Sequence, residues 1–351
     1  MANLAQAIRL ALHYGETHLG VTDIFGEDVG APLGGVFTAT QGLKTAWNAP
    51  LDERGIVGMA LGIAYAGGKP VAEIQFCDYI YNCIDLLKLC GNVTWSSAGA
   101  YHVPMVLMTP CGSGIHGSMY HSHSFESMAT HIQGWKIVMP SNPKDAYGLM
   151  LSAIAEPNPV LFLAPKALMR QKGAELIPGE PDDEKLLHQM IDAPLGDRSG
   201  WQPNWPKVED YRVPIGAAKV VRSGAALSVV TYGRMLPLAV SAAEKLAADG
   251  IDCEVIDLRT LYPFDLPAVV ASVTKTGRLL VVNEDTEVTN FGEHIIRKVM
   301  DEAFYSLELK PELLAGLDVP GVGLAWGYEQ HSVPQGEDVL AAMRRLATAV
   351  A

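Results

Sequence analysis

Glu53, set between Asp52 and Arg54, stands at the mouth of a stretch that is otherwise small and apolar, APLDERGIVGMALGIAYAG, residues 49–67. Pro50 cannot sit inside a helix and reads as a loop or helix-entry residue. No charged residue follows from 55 to 67, so the segment reads as a helix buried on most sides. A carboxylate at that entry either caps the helix N-terminus or is held in a partly dry site for proton chemistry. Residue types alone leave both open.

A second reactive set lies in CGSGIHGSMYHSHS, residues 111–124, which carries His116, His121 and His123 among glycines and serines. Three close histidines suggest a metal, yet there is no HExxH and no acidic residue between them. One of them in a glycine-built loop can serve as an acid–base group, or they only hydrogen-bond within the loop. Gln75, Phe76, Asp78 and Tyr79 end the stretch PVAEIQFCDYI (70–80) and either line a pocket or represent ordinary sheet-end polarity.

The elements that must position these residues follow a regular alternation. A helix is expected over 3–18, a strand over 21–30 ending in an acidic loop, and the glycine pair Gly34 and Gly35 after it. Next come the 53–67 helix, the 70–80 strand and an apolar helix near 80–97. VPMVLMTP (103–110) and PVLFLAP (159–165) are unbroken apolar runs, as in strands covered on both faces. Strands alternating with helices predict α/β architecture with parallel sheets, and ligands bind at the carboxyl ends of such strands. Residues 171–213, rich in Pro, Asp and Gly, read as a linker or surface excursion with one short helix. The rhythm restarts at 214 and runs to a helix near 290–304. We expect one domain over 1–190, a connection over 191–213 and a second α/β domain over 214–351.

The chain has 351 residues, 49% hydrophobic, with a formal net charge of −13. That charge argues against a nucleic-acid partner, which needs a basic surface. No 18-residue apolar run reads as a membrane span, and the amphipathic stretch MANLAQAIRLALHYGE is not expected to act as a secretory leader, since it lacks an h-region and cleavage site. Five cysteines without a CxxC pair fit reduced thiols. A cytoplasmic location is expected, or the mitochondrial matrix for a eukaryotic source.

LDERGIVG, AEIQFCDYI, SMYHSHSFES, PSNPKDA and DLRTLYPFD occur in this order. Together they resemble the β subunit of the thiamine-diphosphate-dependent decarboxylating component of 2-oxo acid dehydrogenase complexes. The branched-chain and bacterial pyruvate types are nearest. GEDVG followed by GGVF matches the same family, and the resemblance covers about 20–170 and 214–300. It implies a transketolase-like pyrimidine-binding domain followed by a transketolase C-terminal-like domain. Glu53 would be the carboxylate that hydrogen-bonds the aminopyrimidine ring. Leu51, Gln75 and Tyr79 would line the pyrimidine pocket, with Phe76 a neighbour. His121 would assist at the intermediate and in passing the acyl group to lipoyl-lysine. His123 stands where the family often has Gln. A monovalent cation, K⁺ in some members, would lie near Glu156 and Asn158.

The chain has no GDG motif for Mg²⁺ and the diphosphate. The resemblance therefore implies an α subunit that holds both, in an α2β2 heterotetramer, and a lipoyl-bearing acyltransferase core as further partner. The implied reaction is oxidative decarboxylation of a branched-chain 2-oxo acid. Alternatives on the same fold are a pyruvate or acetoin dehydrogenase β subunit and a non-catalytic assembly subunit. Three departures stand out: Ala164 where many members have Glu, the length of the 171–213 excursion, and a C-terminal GVGLAWGYEQHSVPQGEDV without the usual proline-tyrosine-rich segment.

Overall fold

The computed structural model describes residues 1–198 and 200–350. The chain divides into two compact units, one of residues 1–110, 132–164 and 168–215, the other of 111–131, 165–167 and 216–351. Residues 191–213 belong to the first unit, and the histidine-bearing loop groups with the C-terminal unit.

In the first unit, β1 (Asp23–Gly26), β2 (Ala46–Asn48), β3 (Pro70–Glu73), β4 (Val106–Cys111), β5 (Lys136–Val138) and β6 (Val160–Pro165) lie in the order β5-β6-β4-β3-β1-β2. The pairings β1–β2, β1–β3, β3–β4 and β5–β6 are parallel. Every residue of β3, β4 and β6 is buried; the apolar runs of β4 and β6 are those of strands covered on both faces, while β3 ends on a buried carboxyl, Glu73. Between the strands run α1 (Leu4–Tyr14), α2 (Glu53–Tyr65), α3 (Ile84–Ser96) and α5 (Pro143–Ala155), followed by α6 (Glu184–Ile191). The core joins α1 and α5 to one sheet face through Leu4, Ile8, Leu12, Leu149, Met150 and Phe162. α2 departs from expectation. Met59 and Tyr65 are exposed at 37% and 52%, so one face is open. That face is apolar, and for that reason it could not be told from a buried one by composition.

Residues 171–213, expected as a linker or surface excursion with one short helix, carry α6 and pack against the first unit. The Arg9 guanidinium, wholly buried, donates from Nε to the Thr38 carbonyl (2.8 Å), and from Nη1 to the Ile191 carbonyl (2.5 Å) and Asp192 Oδ1 (2.7 Å). His13 stacks on Trp205 with centroids 4.1 Å apart. The Tyr147 hydroxyl donates to the Glu209 carbonyl at 2.7 Å, and Ser152 Oγ to the Val213 carbonyl at 2.6 Å. Removing one partner of a buried ion pair typically costs about 3–5 kcal/mol. Arg9→Met should therefore lower stability by that order and open 171–213 to protease, as read by denaturant titration and limited proteolysis. Unchanged cleavage would show that Arg9 does not hold the excursion.

Glu73 closes β3 with its carboxyl 5% exposed, and burial raises its pKa to about 8. In the unfolded chain the group ionises near 4.5. Between those values the folded state binds the extra proton, so stability falls as pH rises through about 4.5–8. Glu73→Gln should flatten that dependence by a few kcal/mol. Chemical denaturation at pH 6 and 9 checks it, and parallel pH profiles for the two proteins would refute it.

In the second unit, β7 (Lys219–Arg222), β8 (Ser228–Thr231), β9 (Glu254–Asp257), β11 (Leu279–Thr286) and β12 (Glu312–Gly316) lie in the order β12-β11-β8-β9-β7. All pairs are parallel except β7–β9. A short β10 (Thr260–Tyr262) follows β9. Helices α7 (Met235–Ala248), α8 (Leu266–Thr276), α9 (Phe291–Ala303) and α11 (Gly336–Thr348) accompany the sheet, with shorter α4 (Glu126–His131) and α10 (Trp326–Ser332). The core is aliphatic, built on Leu227, Val229, Val255, Leu280, Val282 and Met343. Among the described residues no helix is long and apolar enough to cross a membrane.

Candidate functional site

At the carboxyl ends of β1 and β3 the first unit collects polar groups above a dry core. α2 is capped by Asp52, whose Oδ1 accepts from the Gly55 amide at 3.0 Å. Capping is therefore not the task of Glu53, the first helical residue. Its side chain, 9% exposed, accepts at Oε2 from Asn82 Nδ2 at 3.0 Å. Asn82 sits on the 3₁₀ segment Cys77–Cys83, which also carries Asp78 and Tyr79. Glu27, at the end of the acidic strand β1, is 9% exposed with Oε1 unpartnered among the described residues. Burial raises its pKa, and the nearby charges of Glu53 and Asp28 add to that. Gln75 Nε2 donates to Asp28 Oδ2 at 3.3 Å.

Leu51 stands 81% exposed just before α2. Tyr79 is half-buried. Phe76 is 5% exposed and makes edge contacts with Phe37 and Tyr79, each at 6.4 Å, so it backs the wall of this corner. The corner thus joins β1, the loop into α2, the end of β3 and the 3₁₀ segment. It offers one fixed carboxylate, a second whose pKa burial raises, and an amide. That set suits a planar heterocycle with ring nitrogens and an exocyclic amine. Asn82 and Glu27 are the participants that sequence reasoning passed over. Asn82 is the one amide within the apolar run IYNCID, and GEDVG carries Glu27.

Glu156 and Asn158 also meet. Glu156 Oε2 pairs with Lys136 Nζ at 2.6 Å, and its Oε1 accepts from Asn158 Nδ2 at 3.0 Å. Asn158 Oδ1 in turn accepts from Thr94 Oγ1 at 2.8 Å. Lys136 supplies the positive charge that the Glu156 carboxylate needs, so an ion there would depend on backbone carbonyls.

The second unit holds the histidine loop. Its ends are closed by the Gly112 amide donating to the His123 carbonyl at 2.7 Å. Glu284, from β11, accepts at Oε2 from both the Ser113 amide (3.0 Å) and Ser113 Oγ (2.7 Å). A Cβ on Gly112 would lie 2.2 Å from Glu284 Oε1, and φ is +84° there, so only glycine fits. Glu329, 2% exposed on α10, accepts at Oε1 from the Gly114 amide at 2.6 Å and pairs with His116 Nδ1. His116 also lies on Trp326, centroids 4.8 Å apart. These contacts use His116 structurally. Among the described residues no three His, Cys, Asp or Glu side chains are grouped to hold a metal. His121 and His123, both half-buried, remain in the loop so anchored. Below it, Glu126 is fully buried; burial first, then the Asp285 and Glu284 charges, raises its pKa well above the usual range.

Comparison with known proteins adds the lineage. The family model described as "Transketolase, pyrimidine binding domain" matches residues 5–172, and "Transketolase, C-terminal domain" matches 216–339. A "2-oxoisovalerate dehydrogenase subunit beta" of Pseudomonas aeruginosa is 40% identical, with 85% of this chain and 82% of that one covered. The protein of the same name from Bacillus subtilis is 35% identical, with 92% of each chain covered. The "Pyruvate dehydrogenase E1 component subunit beta" of Acholeplasma laidlawii is 37% identical, with 93% and 92% covered. A solved "Split gene transketolase, inactive beta4 tetramer" superposes with a TM-score of 0.72 at 17% identity, covering 99% of both chains, which shows a shared fold.

Proposed function

The chain belongs to the β subunits of 2-oxo acid dehydrogenases, and from that membership we propose that it is the pyrimidine-binding half of a thiamine-diphosphate enzyme. The observation that carries this is Glu53, fixed by Asn82 and relieved of capping by Asp52. Glu53, Leu51, Gln75 and Tyr79 would hold the aminopyrimidine, with Phe76 behind them. Bound there, the cofactor supplies the ylid and the electron sink. Glu53 Oε1, the oxygen left over by Asn82, would be the atom that takes and returns a proton when the cofactor is bound. Glu27 sits beside it, and burial together with the Glu53 and Asp28 charges raises its pKa.

The sequence holds no GDG motif, so Mg²⁺ and the diphosphate fall to an α chain, in an α2β2 complex. A K⁺ ion near Asn158 would be held by carbonyls. His121 serves acyl transfer to a lipoyl-lysine of an acyltransferase. The substrate is a branched-chain 2-oxo acid, supported by the relatives named for 2-oxoisovalerate. Pyruvate is the second reading, supported by the Acholeplasma relative. The test is kcat/KM of the complex with its α chain over pyruvate, 2-oxobutyrate and the three branched-chain acids. Preference for the branched acids supports the first reading, and preference for pyruvate replaces it with the second.

A further inference from the structure

A cavity of about 800 Å³ opens in the first unit between the loop joining β1 to β2 and the last part of the 171–213 excursion. Its volume is in the range of small-molecule sites. It shares no lining residue with the Glu53 corner. Its shape comes from the excursion, and the walls are tied together. Gln41 Oε1 accepts from the Ala193 amide at 3.0 Å, which leaves the Gln41 amide nitrogen available as a donor. Trp201 and Pro203 rest on Gly42: a Cβ there would come within 3.0 and 2.9 Å of them, and φ is +77°. Arg198 spans the opening, donating from Nη1 to the Pro32 carbonyl (3.1 Å) and from Nε to the Pro194 carbonyl (3.2 Å).

The lining is mostly apolar or glycine. Its charged residues are Lys44, Arg198 and Asp197, two cations against one acid. Lys44 is exposed and makes no ion pair among the described residues. Carbonyl oxygens occupy two of the five N–H groups of Arg198 and leave its charge uncompensated by them. An apolar bowl with an indole wall, two cations at the rim and a free amide donor matches a specific chemistry. A compact hydrophobic body fills the bowl, and one carboxylate meets the cations.

We infer that this cavity binds a small monocarboxylate with an apolar, branched or aromatic body, and that building this site is what the long excursion does. The binding claim rests on the cavity alone and stands apart from the reading of Glu53.

The test uses the complex of the full chain with its α chain, without any 2-oxo acid. The probe is 3-phenylpropanoate, followed by calorimetry, with 3-phenylpropan-1-ol as neutral control. The expected result is one site per β chain with a Kd in the millimolar range or tighter, the order set by about 0.3 kcal/mol per ligand atom. The double variant K44A/R198A should weaken it at least about tenfold, as for one charge-assisted hydrogen bond. Leu33→Trp, which fills the bowl, should abolish it, and Glu53→Gln should leave it unchanged. Absence of saturable binding, or binding indifferent to both cavity variants, overturns the site. Equal affinity for the alcohol overturns the carboxylate assignment. Binding lost in Glu53→Gln but kept in the cavity variants would place the probe in the pyrimidine corner instead.

Discussion

Glu53→Gln should leave the α2β2 complex assembled and reduce 2-oxo-acid-dependent turnover by about 10²–10⁴-fold, the usual contribution of a positioned proton-transfer group. The amide has the shape of the carboxylate and can still accept from Asn82, so folding has no reason to change. Helix α2 keeps its cap, because Asp52 provides it. What is lost is an oxygen able to take and return a proton. The effect should fall on kcat, with thiamine diphosphate affinity changed far less. Steady-state kinetics with an artificial electron acceptor, paired with gel filtration, reads both. Turnover within a few-fold of wild type would remove Glu53 from the chemistry, and a dissociated complex would make it a structural residue.

His121→Ala should separate two half-reactions. Reductive acylation of a lipoyl domain is expected to fall by about 10²-fold, while decarboxylation coupled to an artificial acceptor is largely retained. The loop gives the reason for expecting a local effect. Glu284 grips Ser113 twice and Glu329 grips Gly114, both from buried positions. His116 and Ser118 adopt φ of +56° and +62°, conformations that persist where surrounding contacts over-determine them. The alanine variant retains all of these anchors. Equal loss in both half-reactions would assign His121 an earlier role, and unchanged acylation would remove it from acyl transfer.

The alternation of β4, α5 and β6 was legible because strands buried on both faces are apolar runs, as β4 and β6 are. Glu53 and His121 were legible as types in telling places, a carboxylate before an apolar helix and a histidine among glycines. Contacts distant in sequence were not legible. Arg9 meets Asp192 and Ile191 some 180 residues away, so the sequence left 171–213 open between a linker and a surface excursion, and these contacts pack it on α1 and α5. β2 is three residues long, too short for periodicity. Glu329 lies on the short α10 with no motif to mark it, yet it anchors the histidine loop. The open face of α2 was hidden for another reason. Apolar residues that lack a partner within one chain look the same in sequence as residues in a core, and an exposed apolar face of this kind fits a subunit of a larger assembly.

The central claim is that this chain carries one half of a shared site. The most direct measurement compares the chain alone, the α chain alone and their mixture in 2-oxo-acid-dependent reduction of dichlorophenolindophenol, with thiamine diphosphate and Mg²⁺ present. Turnover is expected in the mixture alone, saturating at equal amounts of the two chains. Turnover by the isolated chain, or a stable mixed complex inactive on every 2-oxo acid, would contradict it.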